Sequence, residues 1–411
     1  MHQPMAGVRV LEVAAFTMVP SAAAVLAEWG AEVIKVEHAE RGDAQRGLTT
    51  VLGIDAVIND SSFSPIFDAP NRGKRSVGLA LEKPEAREVL EELIRRSDVF
   101  MTNFLPGVRA KLGIELEDVR RINPDIIYVR GSGFGQRGEE ANKGGFDMTA
   151  YWARMGGMHG ATPPGADRLS PMPAGAYGDN QAGMMLVAGV AAALYARATT
   201  GEPSVVDVSL IGAGAWASQF TVNLALMAGG APPRPPVPRH GSARNPLVGS
   251  YRTSDNRWLL FSMLQPGRFW PEFCTLADRP DLITDERFDT VDKVMANAPE
   301  AAAVVAEIIA QRPFDEWVER LEVGTQGAWA AVQDPWTVAN DRALRDNDGV
   351  GTLVDADGVE RELIVSPVQF DETPAVAQRG PLFAEHTDEV LGELGLSMER
   401  LIELKIAGAI A

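Results

Sequence analysis

From Val8 to Val129 short apolar runs alternate with amphipathic stretches. Val8–Val13, Ala31–Val36, Arg75–Leu81, Asp98–Met101 and Ile126–Val129 have the length and branched apolar content of strands. Pro20–Trp29 has helical spacing, with proline at its start and Gly30 at its stop. Pro84–Arg96 sets Val89, Leu90 and Leu93 on one helical face, and Glu117–Ile122 reads as a further helix. The turn Asn103–Gly107 leads into a short helix through Lys111. This alternation predicts an open, mostly parallel, Rossmann-like α/β sheet. Ligands of such sheets bind beyond the carboxyl ends of the strands, which points to the loops at 14–20, 37–46 and 103–111. Asp55–Pro70 reads as loop, and so does the glycine-rich Gly131–Gly138, for which ligand contact stays open.

Further on, Gly178-Asp179 is followed by an apolar helix, Met184–Ala198, a strand, Val205–Leu210, and a largely apolar helical stretch, Ile211–Met227. Gly229–Pro238 holds five prolines and reads as a linker. Residues from about 246 to 330 form a different, smaller α+β unit. It has a hairpin around Ser254-Asp255-Asn256 and helices near 267–276, 298–311 and 314–321. A second hairpin is expected around Asp355–Gly358, and His386–Leu394 and Met398–Ala407 are closing helices. The expected division is therefore 1–228, 229–330 and 331–411.

Composition narrows the function. With 411 residues and 45% apolar content the chain can build a proper core in two domains. A net charge of −18 argues against nucleic acid or an anionic membrane as partner. Cys274 is the only cysteine, so no disulfide forms within one chain, and a reducing, cytoplasmic setting is expected. The longest apolar run, the helix after Asp179, is expected to be too short to span a bilayer. The first turn, Ala14–Pro20, contains no glycine, which disfavours a dinucleotide bound in the usual way. The histidines show no metal-ligand spacing, and no nucleophile elbow or P-loop lysine is present; neither a metal nor a bound prosthetic group is expected.

Against the acidic background, Lys35, Arg41, Arg46, Arg72, Lys74, Arg75, Arg109, Lys111, Arg137 and Lys143 stand out, many in the expected ligand-side loops. As a group they suggest a polyphosphate ligand, nucleotide or coenzyme A. Singly, each is as readily a solvated surface charge. Asp179, at a helix start, is by type either an N-cap or a nucleophile whose charge the helix end favours.

In order and spacing, Val8–Glu37, Asn71–Leu81, Asn103–Gly113, Asn123–Gly135, Gly145-Phe146-Asp147, Gly178-Asp179, Val206–Leu210 and His386–Leu391 resemble the class III CoA-transferases, which include formyl-CoA and carnitine CoA-transferases and the related α-methylacyl-CoA racemases. The resemblance implies that Asp179 is a nucleophile in ping-pong transfer from an acyl-CoA donor to a carboxylic acid acceptor, through an aspartyl-CoA thioester. It implies CoA contacts at Thr17, Met18, His38, Leu79, Leu81, Asn103, Phe104, Lys111 and Lys143, to which the charge reading adds Arg41, Lys74 and Arg75. It also implies an interlocked homodimer, a C-terminal segment returning to the large domain, and an acyl site against the partner's small domain.

The related racemases carry a histidine where this chain has Phe146, which cannot take a proton, so a transferase is favoured over a racemase; a non-catalytic CoA-binding protein, with Asp179 only a cap, is the second alternative. Asp147 reads as site-lining or structural. Arg239–Asn245 stands where formyl-CoA-type members have a glycine-run lid, and Thr17 where they have glutamine. Tyr151, Trp152, Met155 and Met158 suggest an enlarged apolar acyl pocket.

Overall fold

The computed structural model describes residues 3–56, 61–231 and 243–411. Most of the proline-rich stretch and residues 239–242 of the expected lid lie outside them, as do His2 and His240. The chain forms two compact units. The first comprises Met1–Thr162, Arg168–Gly230 and Arg342–Ala411; the second comprises Pro163–Asp167 and Ala231–Asp341.

The first unit is built on six strands: β1 (Arg9–Val13), β2 (Glu32–Glu37), β3 (Arg75–Gly78), β4 (Val99–Thr102), β5 (Ile127–Ser132) and β6 (Val205–Ser209). All neighbours pair in parallel, in the order β3-β2-β1-β4-β5-β6. Successive side chains point to opposite faces, and both faces are largely apolar, with Glu12, Lys35 and Glu37 as buried exceptions. Val10, Val99, Met101, Ile127 and Val129 pack under α1 (Met18–Glu28). Leu11, Phe100 and Tyr128 pack under α2 (Pro84–Arg95) and the C-terminal residues Val390, Leu391, Leu401, Leu404 and Ile410. The strand order reverses between β1 and β4, and the loops leaving them diverge there. This is the crevice where a doubly wound sheet takes its ligand.

After β4 comes α3 (Pro106–Leu112), and α4 (Tyr177–Thr200) lies beside α1 through Ala182, Leu186, Val187 and Val190. At 24 residues α4 is long and apolar enough to cross a membrane, which corrects the expectation that this run is too short. The stretch expected as one helix after β6 is two, α5 (Leu210–Ala217) and α6 (Gln219–Ala228), bent by 78° at Ser218. Asp55–Pro70 is not all loop: Ser64 accepts the Phe67 N–H and starts a helix at Pro65–Asn71, and Thr50–Val51 pairs with Ile54–Asp55.

The second unit has a three-stranded antiparallel sheet, Trp329–Ala331, Trp258–Ser262 and Val248–Arg252 in spatial order, packed with helices around Trp270, Trp317, Phe261 and Phe288. Cys274 is buried in that core, and burial pushes its thiol up to about 12, so it is unreactive.

Candidate active site

The site starts from the turn after β1. Phe16 has a left-handed backbone (φ 63°), an unfavourable conformation for a residue with a side chain. Three contacts hold it. The Asn103 side chain, just past β4, accepts from the Ala15 N–H at 3.1 Å and donates to the Ala15 carbonyl at 2.6 Å. Asp43 accepts the Phe16 N–H at 3.1 Å. Asp43 is fixed in turn by Lys35 at 2.8 Å and by the Gln45 N–H at 2.9 Å.

Beneath the turn lies a buried chain of charges. Lys35 pairs with Glu12 at 2.8 Å, and Lys74 pairs with the other oxygen of Glu12 at 2.5 Å while donating to the Pro20 carbonyl and Asn71. Burial alone would lower Lys35, but Glu12, Asp43 and Glu37 outweigh it and hold the ammonium well above its usual range. Lys74 has fewer anions and a second cation close by, and burial pushes it down to about 7.

The second wall is the start of α4. Asp147 opens an irregular helical turn, Asp147–Ala153, that brings it and Tyr151 against α4. Ala176 precedes the helix in a left-handed conformation (φ 58°). A side chain at Gly178 would place its Cβ 2.5 Å from the Tyr151 ring, so only glycine fits. Asp147 accepts the Gly178 N–H at 3.2 Å. It is therefore Asp147 that satisfies the helix end. Asp179 sits within the first turn of α4, not at the N-cap. Nor does the helix end keep it strongly acidic: burial, then the charge of Asp147, pushes Asp179 up to about 7.

Asp179 lines two cavities. One, of about 260 Å³, lies at the sheet's switch point between the loops of β1, β4 and β5. Thr17, Met18, Asn103, Phe104, Gln136 and Lys143 are among its lining residues. Its Arg109 is spent on Glu115, Gln136 and the Phe104 carbonyl, which leaves Lys143, paired with Glu140 at 3.0 Å but more than half exposed, as the other cation among the described lining residues. The other cavity, of about 570 Å³, lies on the far side of Asp179, toward Leu48–Leu52 and Met148. Phe16 and Phe146 meet edge to face, with ring centroids 5.4 Å apart, and line both.

Of the residues expected to meet CoA, Thr17, Met18, Asn103, Phe104 and Lys143 thus gather beside Asp179. The others do not. Lys74 points into the charge network beneath α1, with its side chain fully buried, and cannot reach a dissolved phosphate. Arg75 begins β3, at the amino-terminal side of the sheet, and is bound by Glu32, Glu389 and Glu393. Leu79 and Leu81 are buried in the core beneath α2. His38 faces Glu82 at 3.3 Å, and Arg41 and Lys111 are outside both cavities. Nor do Tyr151, Trp152, Met155 or Met158 line either cavity: Tyr151 is packed against Gly178, Met155 against Gly214, and the Trp152 N–H donates to Ser170. His159 is exposed and away from Asp179's cavities.

Sequence reasoning missed Asp43, Gln45 and the Leu48–Leu52 segment. Two signals were available: Glu12 and Lys35 interrupt otherwise apolar strands, and Gly42-Asp43 closes the loop after β2.

Comparison with known proteins agrees with this geometry. The model of CoA-transferase family III matches residues 5–387. The chain is 29% identical over 405 residues, 97% of each chain, to the (R)-2-hydroxy-4-methylpentanoate CoA-transferase of Clostridioides difficile. It is 31% identical over 415 residues, 98% of this chain and 97% of the other, to the succinyl-CoA–L-malate CoA-transferase beta subunit of Chloroflexus aurantiacus. The crystal structure of a CAIB/BAIF family protein from Brucella suis superposes with a TM-score of 0.81 at 27% identity, over 96% of this chain and all of that one. A family match spanning almost the whole length, on a six-stranded parallel sheet with an aspartate at its ligand crevice, means that the chain belongs to CoA-transferase family III.

Proposed function

We propose that the protein is an acyl-CoA:carboxylate CoA-transferase that works through Asp179. The observation that carries this reading is the position of that carboxylate, at the meeting of a cavity on the sheet's ligand edge and a second, apolar one. In the first half-reaction the Asp179 carboxylate attacks the thioester carbonyl and expels CoA thiolate, leaving a mixed anhydride. The thiolate attacks the aspartyl carbonyl of the anhydride and releases the donor acid as carboxylate, which leaves an aspartyl-CoA thioester. An acceptor carboxylate then attacks that thioester, and the same two steps in reverse give the new acyl-CoA and free Asp179. Thr17, Met18, Asn103, Phe104 and Lys143 border the CoA side. Among the described residues, neither cavity's lining contains a histidine, which supports transfer over α-proton exchange.

The working form in this reading is an interlocked homodimer in the cytoplasm, away from membranes and nucleic acid. Trp216, Phe220, Leu226 and Met227 on α5 and α6 are largely exposed, an apolar surface that a second copy would cover. The buried side of α4, with Leu186, Val187 and Val190, supports its role as a core helix. The test is trapping. After incubation with acyl-CoA, hydroxylamine should convert Asp179 to its hydroxamate, and borohydride should reduce the aspartyl thioester to the alcohol, both located by peptide mass spectrometry. An unmodified Asp179, together with an active Asp179→Ala variant, sinks the reading.

A further inference from the structure

We propose that the larger cavity beside Asp179 is an acyl chamber selective for monocarboxylic acids with a bulky apolar body, and against dicarboxylic acids; this rests on the transferase reading above.

The chamber measures about 570 Å³, within the range of small-molecule sites. Its walls are mostly apolar: Leu48, Val51, Leu52, Pro65, Ile66 and Met148 contribute. Among the described residues that line it, none is lysine, arginine or histidine. The ionisable groups there are Asp147 and Asp179, both acids. Its neutral polar groups are partly spent, since Thr17 donates to Gln45 at 3.0 Å and Gln45 donates to the Ile66 carbonyl at 2.6 Å.

Those facts decide the selectivity. In ping-pong transfer the donor acyl group and the acceptor acid use the same space in turn, each with its reacting carbon at Asp179. An apolar body gains from the walls, at about three- to fourfold per methylene buried. A second carboxylate meets, among the described residues of this chain that line the chamber, no cation and the acid Asp147, and an unpaired buried anion is strongly disfavoured. Phe16 and Phe146, meeting edge to face beside Asp179, border this chamber as well as the CoA-side cavity.

The experiment is isotope exchange between an acyl-CoA and its own 13C-labelled acid, which needs no second substrate. Propionyl-, butyryl-, 4-methylpentanoyl- and 3-phenylpropanoyl-CoA are compared with succinyl- and glutaryl-CoA. The expected result is kcat/KM rising about threefold per added methylene toward the branched and aromatic acids, and succinyl- and glutaryl-CoA at least 100-fold slower than butyryl-CoA. A second arm uses Met148→Arg, on the exposed rim, which should narrow the butyryl-to-succinyl ratio at least tenfold. Succinyl-CoA exchanging as fast as butyryl-CoA overturns the chamber's selectivity, and an unchanged ratio in Met148→Arg overturns its location. No exchange with any acyl-CoA, and no trapped Asp179, would instead remove the transferase reading and the chamber with it.

Discussion

Asp147 accepts a hydrogen bond from the N–H of Gly178, the residue just before Asp179, so that one acid caps the helix and leaves the next acid to line the two cavities. The cost is electrostatic. Two carboxylates share a partly buried corner, and the second is held near neutrality.

That relationship sets a pH dependence. A carboxylate nucleophile must be ionised, so kcat/KM for acyl-CoA should fall about tenfold per pH unit below about 7 and level off above it. Asp147→Asn keeps an oxygen that accepts the Gly178 N–H but removes the like charge. Its pH profile should move acidward by about one unit. A profile that stays in place would show that Asp147 does not raise Asp179.

Stability should carry the same signature. The folded-state value for Asp179 lies above that of an unfolded carboxylate, so the native state binds the extra proton between about pH 4 and 7. Stability is therefore lost as pH rises through that window. Asp179→Asn escapes this, and should gain on the order of 2–4 kcal/mol over the parent at pH 8 but little near pH 4. Denaturant titrations at both pH values measure the difference. A gap of equal size at both would assign the effect to packing.

The clamp on Ala15 gives a third expectation. Asn103→Ala leaves the Ala15 N–H and carbonyl without these partners and loosens the left-handed Phe16 turn. The loss should be about 1–3 kcal/mol, seen mainly as a higher KM for acyl-CoA. Asn103→Asp keeps an acceptor but sets a carboxylate against the Ala15 carbonyl, so it should do no better than alanine. Steady-state kinetics of the two variants, with CoA binding measured alongside, decides this.

The buried lysines should differ in worth. Lys35→Met leaves Asp43 without the Lys35 ion pair and Glu12 with only Lys74, so a loss of about 3–5 kcal/mol is expected. Lys74→Met removes a cation that burial already pushes toward neutrality, and Glu12 keeps Lys35. It should cost less than half as much. Thermal denaturation of both variants tests the ranking.

The strands of the parallel sheet were legible because most are short, largely apolar runs set between amphipathic helices. The switch point and the loops at 14–20 and 103–111 follow from that alternation, while Thr17 and Asn103 within them were singled out by the family resemblance. Four of the expected CoA contacts lie away from the cavities beside Asp179 for one reason. Lys74, Arg75, Leu79 and Leu81 lie in one short strand region, and a strand's sequence does not say which partner waits on either side. Glu12 draws Lys74 inward, and Glu389 and Glu393, distant in sequence, draw Arg75 to the opposite end of the sheet. Tyr151, Trp152, Met155 and Met158, expected around an acyl pocket, line neither cavity beside Asp179, two of them for a related reason. Tyr151 and Met155 look like pocket residues until Gly178 and Gly214 remove the space in front of them.

The discontinuity of the first unit bears on how the protein is made. Part of the packing on one face of its sheet comes from Val390, Leu391, Leu401, Leu404 and Ile410. On a ribosome, β1 to β6 emerge with that face covered by α2 but lacking the C-terminal residues, and wait while the second unit, almost contiguous in sequence, is synthesised. The unit that begins later is therefore free to finish folding earlier, and the apolar strands of the first depend on a late-arriving segment for part of their cover. Synthesis that stalls between the two should yield a nascent chain with a folded second unit and a first unit prone to capture by chaperones.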